Sequence, residues 1–351
     1  MNKDGKYIAY VGTYTLTNSE GIYIYDVDPL TGALVEKNVV KVSNPSAITI
    51  SKAKRFLYSI EDEGVCSFKI HEDGNLSRMN SALTQGMRGD TLAVDSQNRY
   101  LFVGGYHDGK ITVMKLNEDG TIGDIAFSIY HTSLRSGFGE RHNDHAKVTK
   151  LVLTPDEKFL CAVDLGINQV KIYSIDYDTG RLSLYDLIRP ALESGARVMK
   201  FSPDGKFAYI LTSFSNHMEV YKYDYNNGNP VFEEIQDSEV LKKAYNGASA
   251  CDFVFSEDGK HIAVSVDAFN GVAFLDRDPE TGKIIPAFQS LTSGDFPKSL
   301  ALLPGDKFVS VLNHDTDEIR TFGIDYTKGY ILLKAAPVKI SKPNCIKIVK
   351  L

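Results

Sequence analysis

The sequence predicts an all-β chain: a seven-bladed β-propeller whose ring is closed by the C-terminal strand joining the N-terminal blade. Three observations carry this. One four-strand pattern recurs along the chain with a period of roughly 45 to 55 residues, the length of a propeller blade. Helical periodicity is nearly absent. The two chain ends each hold one half of a further repeat.

The pattern is an apolar strand, a turn of the Pro-Asp-Gly-Lys kind, a second apolar strand, a short polar turn, a third strand, a Thr-Gly turn and a fourth strand. Its clearest copy runs from Val198 through Pro203-Asp204-Gly205-Lys206 to Met218–Asp224 and Asn227-Gly228. A second runs from Leu151 through Pro155-Asp156-Glu157-Lys158 to Gln169–Asp176 and Thr179-Gly180. A third runs from Phe253 through Glu257-Asp258-Gly259-Lys260 to Val272–Asp276 and Thr281-Gly282. Fainter copies start near Ala47, Leu92 and Leu300. Asp-Gly and Asn-Gly between alternating apolar runs are hairpin signals, because glycine accepts the positive φ of a tight turn. The seventh repeat is split. Asp4-Gly5-Lys6 and Tyr7–Gly12 read as a second strand lacking its first, and Asn344–Leu351 reads as a first strand lacking its followers. Joining them completes a blade and removes an exposed edge. The segments 190–195 and 238–245 are the two places where a turn of helix is expected.

With 351 residues, 43% of them hydrophobic, the chain is long enough for a large core, and the repeat makes it one domain, 1–351. No apolar run is long enough to span a membrane as a helix. The opening Met-Asn-Lys-Asp-Gly-Lys has no apolar segment, so a cytoplasmic protein is expected. Cys66, Cys161, Cys251 and Cys345 form no Cys-x-x-Cys pair and read as buried free thiols. A net charge of -6 without a basic stripe argues against nucleic acid as a partner. There is no glycine-rich phosphate loop and no Gly-x-Ser-x-Gly elbow, and no cofactor is expected. The sequence does not fix an oligomeric state.

In a propeller the first strand of each blade lines a central channel, and function gathers in the loops at one mouth. The longest irregular insertion, 131–147, carries three of the eight histidines just ahead of the strand at Val148. His142 and His145 have metal-like spacing, but no carboxylate or cysteine follows at a matching interval, so no metal site is expected. His107 and His314 fall in corresponding turns and read as turn residues.

Tyr10–Thr15, Gly21–Tyr25, Asn44-Pro45-Ser46, Asp164-Leu165-Gly166, Val170–Tyr173 and Pro343-Asn344-Cys345 together resemble the lactonase propeller family across essentially the whole chain. That family includes bacterial 6-phosphogluconolactonases and fungal carboxymuconate-lactonising enzymes. The resemblance implies a site at one mouth. The first histidine of the family's Pro-His-Ala-His is His145 here and the second is Lys147; the arginine of its Gly-Pro-Arg-His is Arg197; its later Pro-Arg becomes Pro297-Lys298. Its Asn-Glu falls on Thr212-Ser213, and a second arginine falls at Asp267, so one acid and one cation are absent.

On that resemblance, His145 takes a proton from water, since imidazole titrates near neutrality. Arg197 stabilises the oxyanion or grips an anion. Lys147 and Lys298, each at the start of a first strand, bind a phosphate. Asp164, at the end of a second strand, orients His145 or holds sugar hydroxyls. The implied activity is hydrolysis of a small anionic sugar lactone, with 6-phosphogluconolactone the phosphorylated partner expected, a step of the pentose phosphate pathway. Two alternatives stay open: a lactonase-like propeller without activity that binds a carbohydrate or protein, and a carboxymuconate-lactonising enzyme.

Overall fold

The computed structural model describes residues 5–131, 145–226 and 228–351. All regular elements among them are strands, in seven antiparallel sheets. Sheet 1 is Pro343–Lys350, Tyr7–Thr13, Gly21–Val27 and Leu34–Lys41 in spatial order. Sheet 2 is Ile48–Ile50, Phe56–Glu61, Gly64–Ile70 and Leu76–Leu83; sheet 3 is Gly89–Val94, Tyr100–Gly105, Lys110–Leu116 and Ile122–Tyr130. Sheet 4 is Val148–Leu153, Phe159–Asp164, Gln169–Ile175 and Leu182–Ile188; sheet 5 is Ala196–Phe201, Phe207–Thr212, His217–Asn226 and Asn229–Glu239. Sheet 6 is Ser249–Phe255, His261–Asp267, Gly271–Arg277 and Ile284–Leu291. Sheet 7 is Pro297–Leu302, Phe308–Asn313, Glu318–Asp325 and Tyr330–Leu333, with Val338–Lys339 also pairing Glu318–Asp325.

Local chemistry explains the recurring turns. In the third-to-fourth turns an aspartate caps its own loop: Asp28 accepts from the Leu30 amide (2.9 Å) and the Thr31 hydroxyl (2.6 Å). Asp176 with Thr179 and Asp278 with Thr281 repeat this. These bonds hold all three carboxyls below their ordinary pKa. The glycine that follows has φ near +75°, at 78°, 77° and 75° for Gly32, Gly180 and Gly282. It also lies against the ring that opens a second strand of the preceding sheet, Gly282 against Phe207 and Gly180 against Tyr100, where no Cβ fits. Conformation and packing thus demand the same residue.

The two expected turns of helix are absent. Residues 191–193 form a turn with Glu193 at φ 57°, and Ser238 and Glu239 are strand residues paired to Met218 and His217. At Ser238 and Glu239 cross-strand pairing outweighs a weak local helix preference.

The chain clusters into two compact units. In the unit formed by Met1–Pro45, Glu72–Asn75 and Phe201–Leu351, the last strand pairs antiparallel with Tyr7–Thr13, from Tyr7↔Lys350 to Thr13↔Pro343. This supplies the expected closing strand. Ala9, Val11, Tyr25, Leu303, Leu312 and Ile346 pack as one apolar cluster between sheets 1 and 7. A second cluster of Phe274, Phe288, Leu300, Val309 and Val311 joins sheets 6 and 7. In the unit formed by Ser46–His71 and Leu76–Lys200, Phe56, Tyr58, Leu101 and Val103 join sheets 2 and 3. Phe102, Val113, Val148, Leu151 and Tyr173 join sheets 3 and 4. Each fully buried side chain of this size contributes about 1.5–3 kcal/mol. Cys66, Cys161 and Cys251 are buried free thiols, and Cys345 is partly buried. No helix among the described residues is long and apolar enough to cross a membrane.

Candidate functional site

The starts of the first strands are placed by a repeated device. A left-handed asparagine or aspartate in the second-to-third turn of one sheet accepts the amides that open the next sheet. Asn168 (φ 51°) accepts from the Gly195 and Ala196 amides, both at 3.0 Å, and so sets Arg197, the second residue of its strand. In the other unit Asn216 receives the Ala250 amide at 2.8 Å, Asn270 the Phe296 amide at 3.2 Å and Asp317 the Lys342 amide at 2.9 Å.

Sheet 4 departs from this. Its first strand follows the 131–147 insertion, most of which (132–144, including His142) lies outside the described residues. The corresponding turn of sheet 3 offers Gly109, pressed against Ala146, instead of an asparagine. The anchor is supplied by Asp164 of sheet 4 itself. Its fully buried carboxylate accepts from the Lys147 amide (2.7 Å), the Gly166 amide (3.0 Å) and the Ile167 amide (3.2 Å) on Oδ1. Oδ2 accepts from Nδ1 of His131 at 2.7 Å. One carboxylate therefore ties down both flanks of the insertion. The Leu165 amide donates to the Lys147 carbonyl at 2.9 Å. Gly166 has no Cβ because the His145 carbonyl occupies that space.

His131 is 5% exposed. With a carboxylate as its partner, Nδ1 carries the proton, and Nε2 is buried without a hydrogen-bond partner among the described residues. Burial pushes its pKa below the ordinary histidine range, against the opposing pull of Asp164. Its ring stacks on Tyr173 at 5.9 Å.

His145 is exposed and stands three residues before Val148. Lys147 directly precedes that strand, its ammonium 5.9 Å from the centre of the Tyr106 ring. The Thr149 hydroxyl donates to the Arg197 carbonyl at 2.7 Å, which brings the starts of these two first strands side by side. The Arg197 guanidinium is half-buried and, like the His145 ring, has no hydrogen-bond or ion-pair partner among the described residues. An unpaired, partly desolvated cation is costly unless a ligand completes it. Asp164, by contrast, spends both oxygens on internal donors, so it positions backbone and does not face sugar hydroxyls.

Lys298 belongs to the other unit. It is the second residue of its strand, so its repeat equivalent in sheet 4 is Thr149, not Lys147; the residue that matches Lys147 is Phe296. The Lys298 ammonium lies 4.7 Å from the Tyr14 ring centre and 5.7 Å from that of Phe296. Phe296 holds φ 50°, a strained setting for a bulky residue, and its ring meets His314 edge-on at 5.5 Å. His314 is more than the turn residue its position suggested. Its Nδ1 donates to the Pro343 carbonyl at 3.1 Å, and burial, then the Lys298 charge, lower its pKa.

Sequence reasoning passed over a further feature of the first strands. The ladder slips by one residue between Gly89 and Thr91, Val148 and Lys150, Ala250 and Asp252, and Pro297 and Ser299. The bulged residues are Asp90, Thr149, Cys251 and Lys298. A bulge bends its strand and re-aims the side chain of the extra residue. At the place of the absent family glutamate, Thr212 bonds the Ser215 hydroxyl (2.6 Å) and Ser213 the Ala250 carbonyl (2.7 Å). A hollow in sheet 2 lined by Glu61, Asp62, Glu63 and Arg88 is net acidic and repels anions.

The profile of the family described as "Lactonase, 7-bladed beta-propeller" matches residues 8–348, and the chain belongs to this family. Its seven sheets are the seven blades, and its class of activity is lactone hydrolysis. Among its relatives, the 6-phosphogluconolactonase of Bacillus subtilis (strain 168) is 30% identical over 350 residues, covering 97% of this chain and 98% of that one. The solved structure of the Pseudomonas aeruginosa periplasmic gluconolactonase superposes with a TM-score of 0.89 at 25% identity, covering 98% of this chain and 99% of that one. A solved Lactobacillus plantarum protein gives 0.88 at 27% identity, covering 98% of this chain and all of that one.

Proposed function

We propose that this protein hydrolyses a small anionic sugar lactone, 6-phosphogluconolactone to 6-phosphogluconate, in the cytoplasm. The observation that carries the reading is the half-buried Arg197 guanidinium, unpartnered among the described residues, on the strand beside the one that His145 leads into. In this mechanism the His145 imidazole accepts a proton from water as the water oxygen attacks the lactone carbonyl. Arg197 stabilises the oxyanion that forms. Collapse re-forms the carbonyl and breaks the bond to the ring oxygen, which receives the proton from the imidazolium; the carboxylic acid formed then releases its remaining proton to solvent and leaves as a carboxylate. Asp164 acts one step back, through the Lys147 amide and the Gly166 turn that seat His145. Lys147 is proposed as a phosphate ligand, and Lys298 is carried as one on its sequence position alone.

The relatives named for 6-phosphogluconolactone and gluconolactone support the substrate class. The test is hydrolysis of 6-phosphogluconolactone by the purified protein beside His145→Ala and Arg197→Ala. His145→Ala should lose about 10²–10⁴-fold and Arg197→Ala about 10²-fold or more in kcat. A wild-type rate no faster than spontaneous ring opening would end the proposal. Lys147→Ala and Lys298→Ala should each raise KM for the phosphorylated lactone and leave gluconolactone unaffected.

A further inference from the structure

Asp90 is the second residue of the first strand of sheet 3, as Thr149 is in sheet 4 and Arg197 in sheet 5. The ladder slip shows that it is the extra residue of a bulge, opposite the Gly104–Gly105 step. Its strand lies beside that of Thr149, because the Leu151 amide donates to the Thr91 hydroxyl at 3.1 Å. The Thr149 hydroxyl in turn reaches the Arg197 carbonyl at 2.7 Å. Asp90, Thr149 and Arg197 therefore stand in a row at the same end of three neighbouring strands. The Asp90 carboxylate is half-buried and, among the described residues, has no hydrogen-bond or ion-pair partner, which is also true of Arg197.

Two opposite charges in one row, each partly removed from water and neither neutralised by the other, are completed by a ligand that offers both groups a partner. The carboxylate accepts only, so it meets O–H or N–H donors. It also repels any second anionic group at its end of the row. The guanidinium donates only, and meets the carbonyl, oxyanion or an acidic group. A ring lactone that carries hydroxyls on one side and its ester on the other satisfies both. A lactone bearing carboxylates on that side does not.

We propose that Asp90 is the specificity-determining residue of the site, receiving ring hydroxyls of an aldonolactone and excluding lactones that carry further carboxylates. This rests on the reading of Arg197 and His145 given above, so the test has a part that does not need turnover. Asp90→Ala and Asp90→Asn are compared with wild type in binding D-gluconolactam, a hydroxylated and hydrolysis-resistant ring amide, by calorimetry. Loss of a charge-assisted hydrogen bond corresponds to roughly a ten- to hundred-fold weaker Kd, and Asp90→Asn should fall between wild type and Asp90→Ala. Hydrolysis of glucono-δ-lactone should show the same loss, mostly in KM, whereas δ-valerolactone, the same ring without hydroxyls, should change less than about three-fold. Unchanged gluconolactam binding in Asp90→Ala overturns the proposal, and so does an equal loss on both lactones. A protein that binds gluconolactam through Asp90 but hydrolyses neither lactone leaves this assignment standing and removes the catalytic reading.

Discussion

Gly166→Ala is a substitution that ought to be harmless by backbone conformation, since the φ of Gly166 is not positive, yet the fold leaves no space for it. The new methyl would overlap the His145 carbonyl and crowd the Lys147 amide nitrogen, both of them main chain, so neither can swing aside as a side-chain tip would. Retreat of this segment by about 1 Å breaks the Lys147 amide bond to Asp164, now 2.7 Å, and the Leu165 amide bond to the Lys147 carbonyl, now 2.9 Å. The first is charge-assisted and contributes about 1.5–3 kcal/mol; the second contributes about 1 kcal/mol. A loss near 3 kcal/mol, set against an unfolding entropy of about 2.1 cal/mol/K for each of 351 residues, lowers Tm by about 4 °C. A displacement of this size at a proton-transfer group costs about 100-fold in rate. The assays are calorimetric unfolding and pH-stat measurement of lactone hydrolysis. If Gly166→Ala keeps the wild-type Tm and kcat while His145→Ala is inactive, the anchoring of His145 through Asp164 and Gly166 is wrong.

Three further outcomes are expected. Burial holds the His131 pKa below the ordinary histidine value of about 6.5 that it regains on unfolding, so below about pH 6.5 the unfolded chain binds more proton than the folded one. Stability therefore falls as pH drops through that window, by at most about 1.36 kcal/mol per pH unit for this one group. Denaturant titrations of His131→Gln should show a flatter dependence, and an identical slope would contradict the account. Arg277 is 4% exposed, with Nε donating to the Tyr209 hydroxyl at 2.6 Å and Nη1 to the Gly259 carbonyl at 2.8 Å, among the rings of Phe207, Tyr209 and Phe255. Arg277→Ala should cost about 3–5 kcal/mol by urea unfolding without changing KM, and a cost under 1 kcal/mol would refute its place as a tie between sheets 5 and 6. Deleting residues 343–351 leaves the Tyr7–Thr13 edge unpaired and should give insoluble protein on expression, recoverable by supplying those residues as a peptide; a soluble, monomeric truncation would contradict the closing role of the last strand.

The strands and turns were legible because their chemistry is local. Thr179-Gly180 and Thr281-Gly282 marked their turns from sequence alone, and the aspartate three residues before each threonine, which caps the loop, lies within the same short window. The split seventh repeat was legible for a related reason: strand alternation at both ends leaves edges that only each other can satisfy. At 238–245 the expected turn of helix failed because pairing of Ser238 and Glu239 with Met218 and His217 is a long-range term that no short window contains; at 190–195 the chain turns instead, with Glu193 at φ 57°. Asp164 could be read as a residue near the site but not as an anchor, since the amide it holds lies 17 residues upstream.

Asp90 and Lys298 mark the boundary most sharply. An aspartate or lysine ahead of a strand is ordinary in sequence, and nothing in its neighbours separates a solvated charge from a ligand-facing one. The sequence by itself determined the class of fold, the number of blades, the closing strand and the candidates His145 and Arg197, because these follow from periodic burial, turn chemistry and family pattern. Only the tertiary structure decided which charges are unpaired among the described residues, that Asp164 is spent on backbone amides and His131, and that Asp90 and Arg197 open the first strands on either side of that of Thr149. Hydrogen-bond partners and register are set by strands that approach one another across the fold, and their identity is not carried by either strand alone.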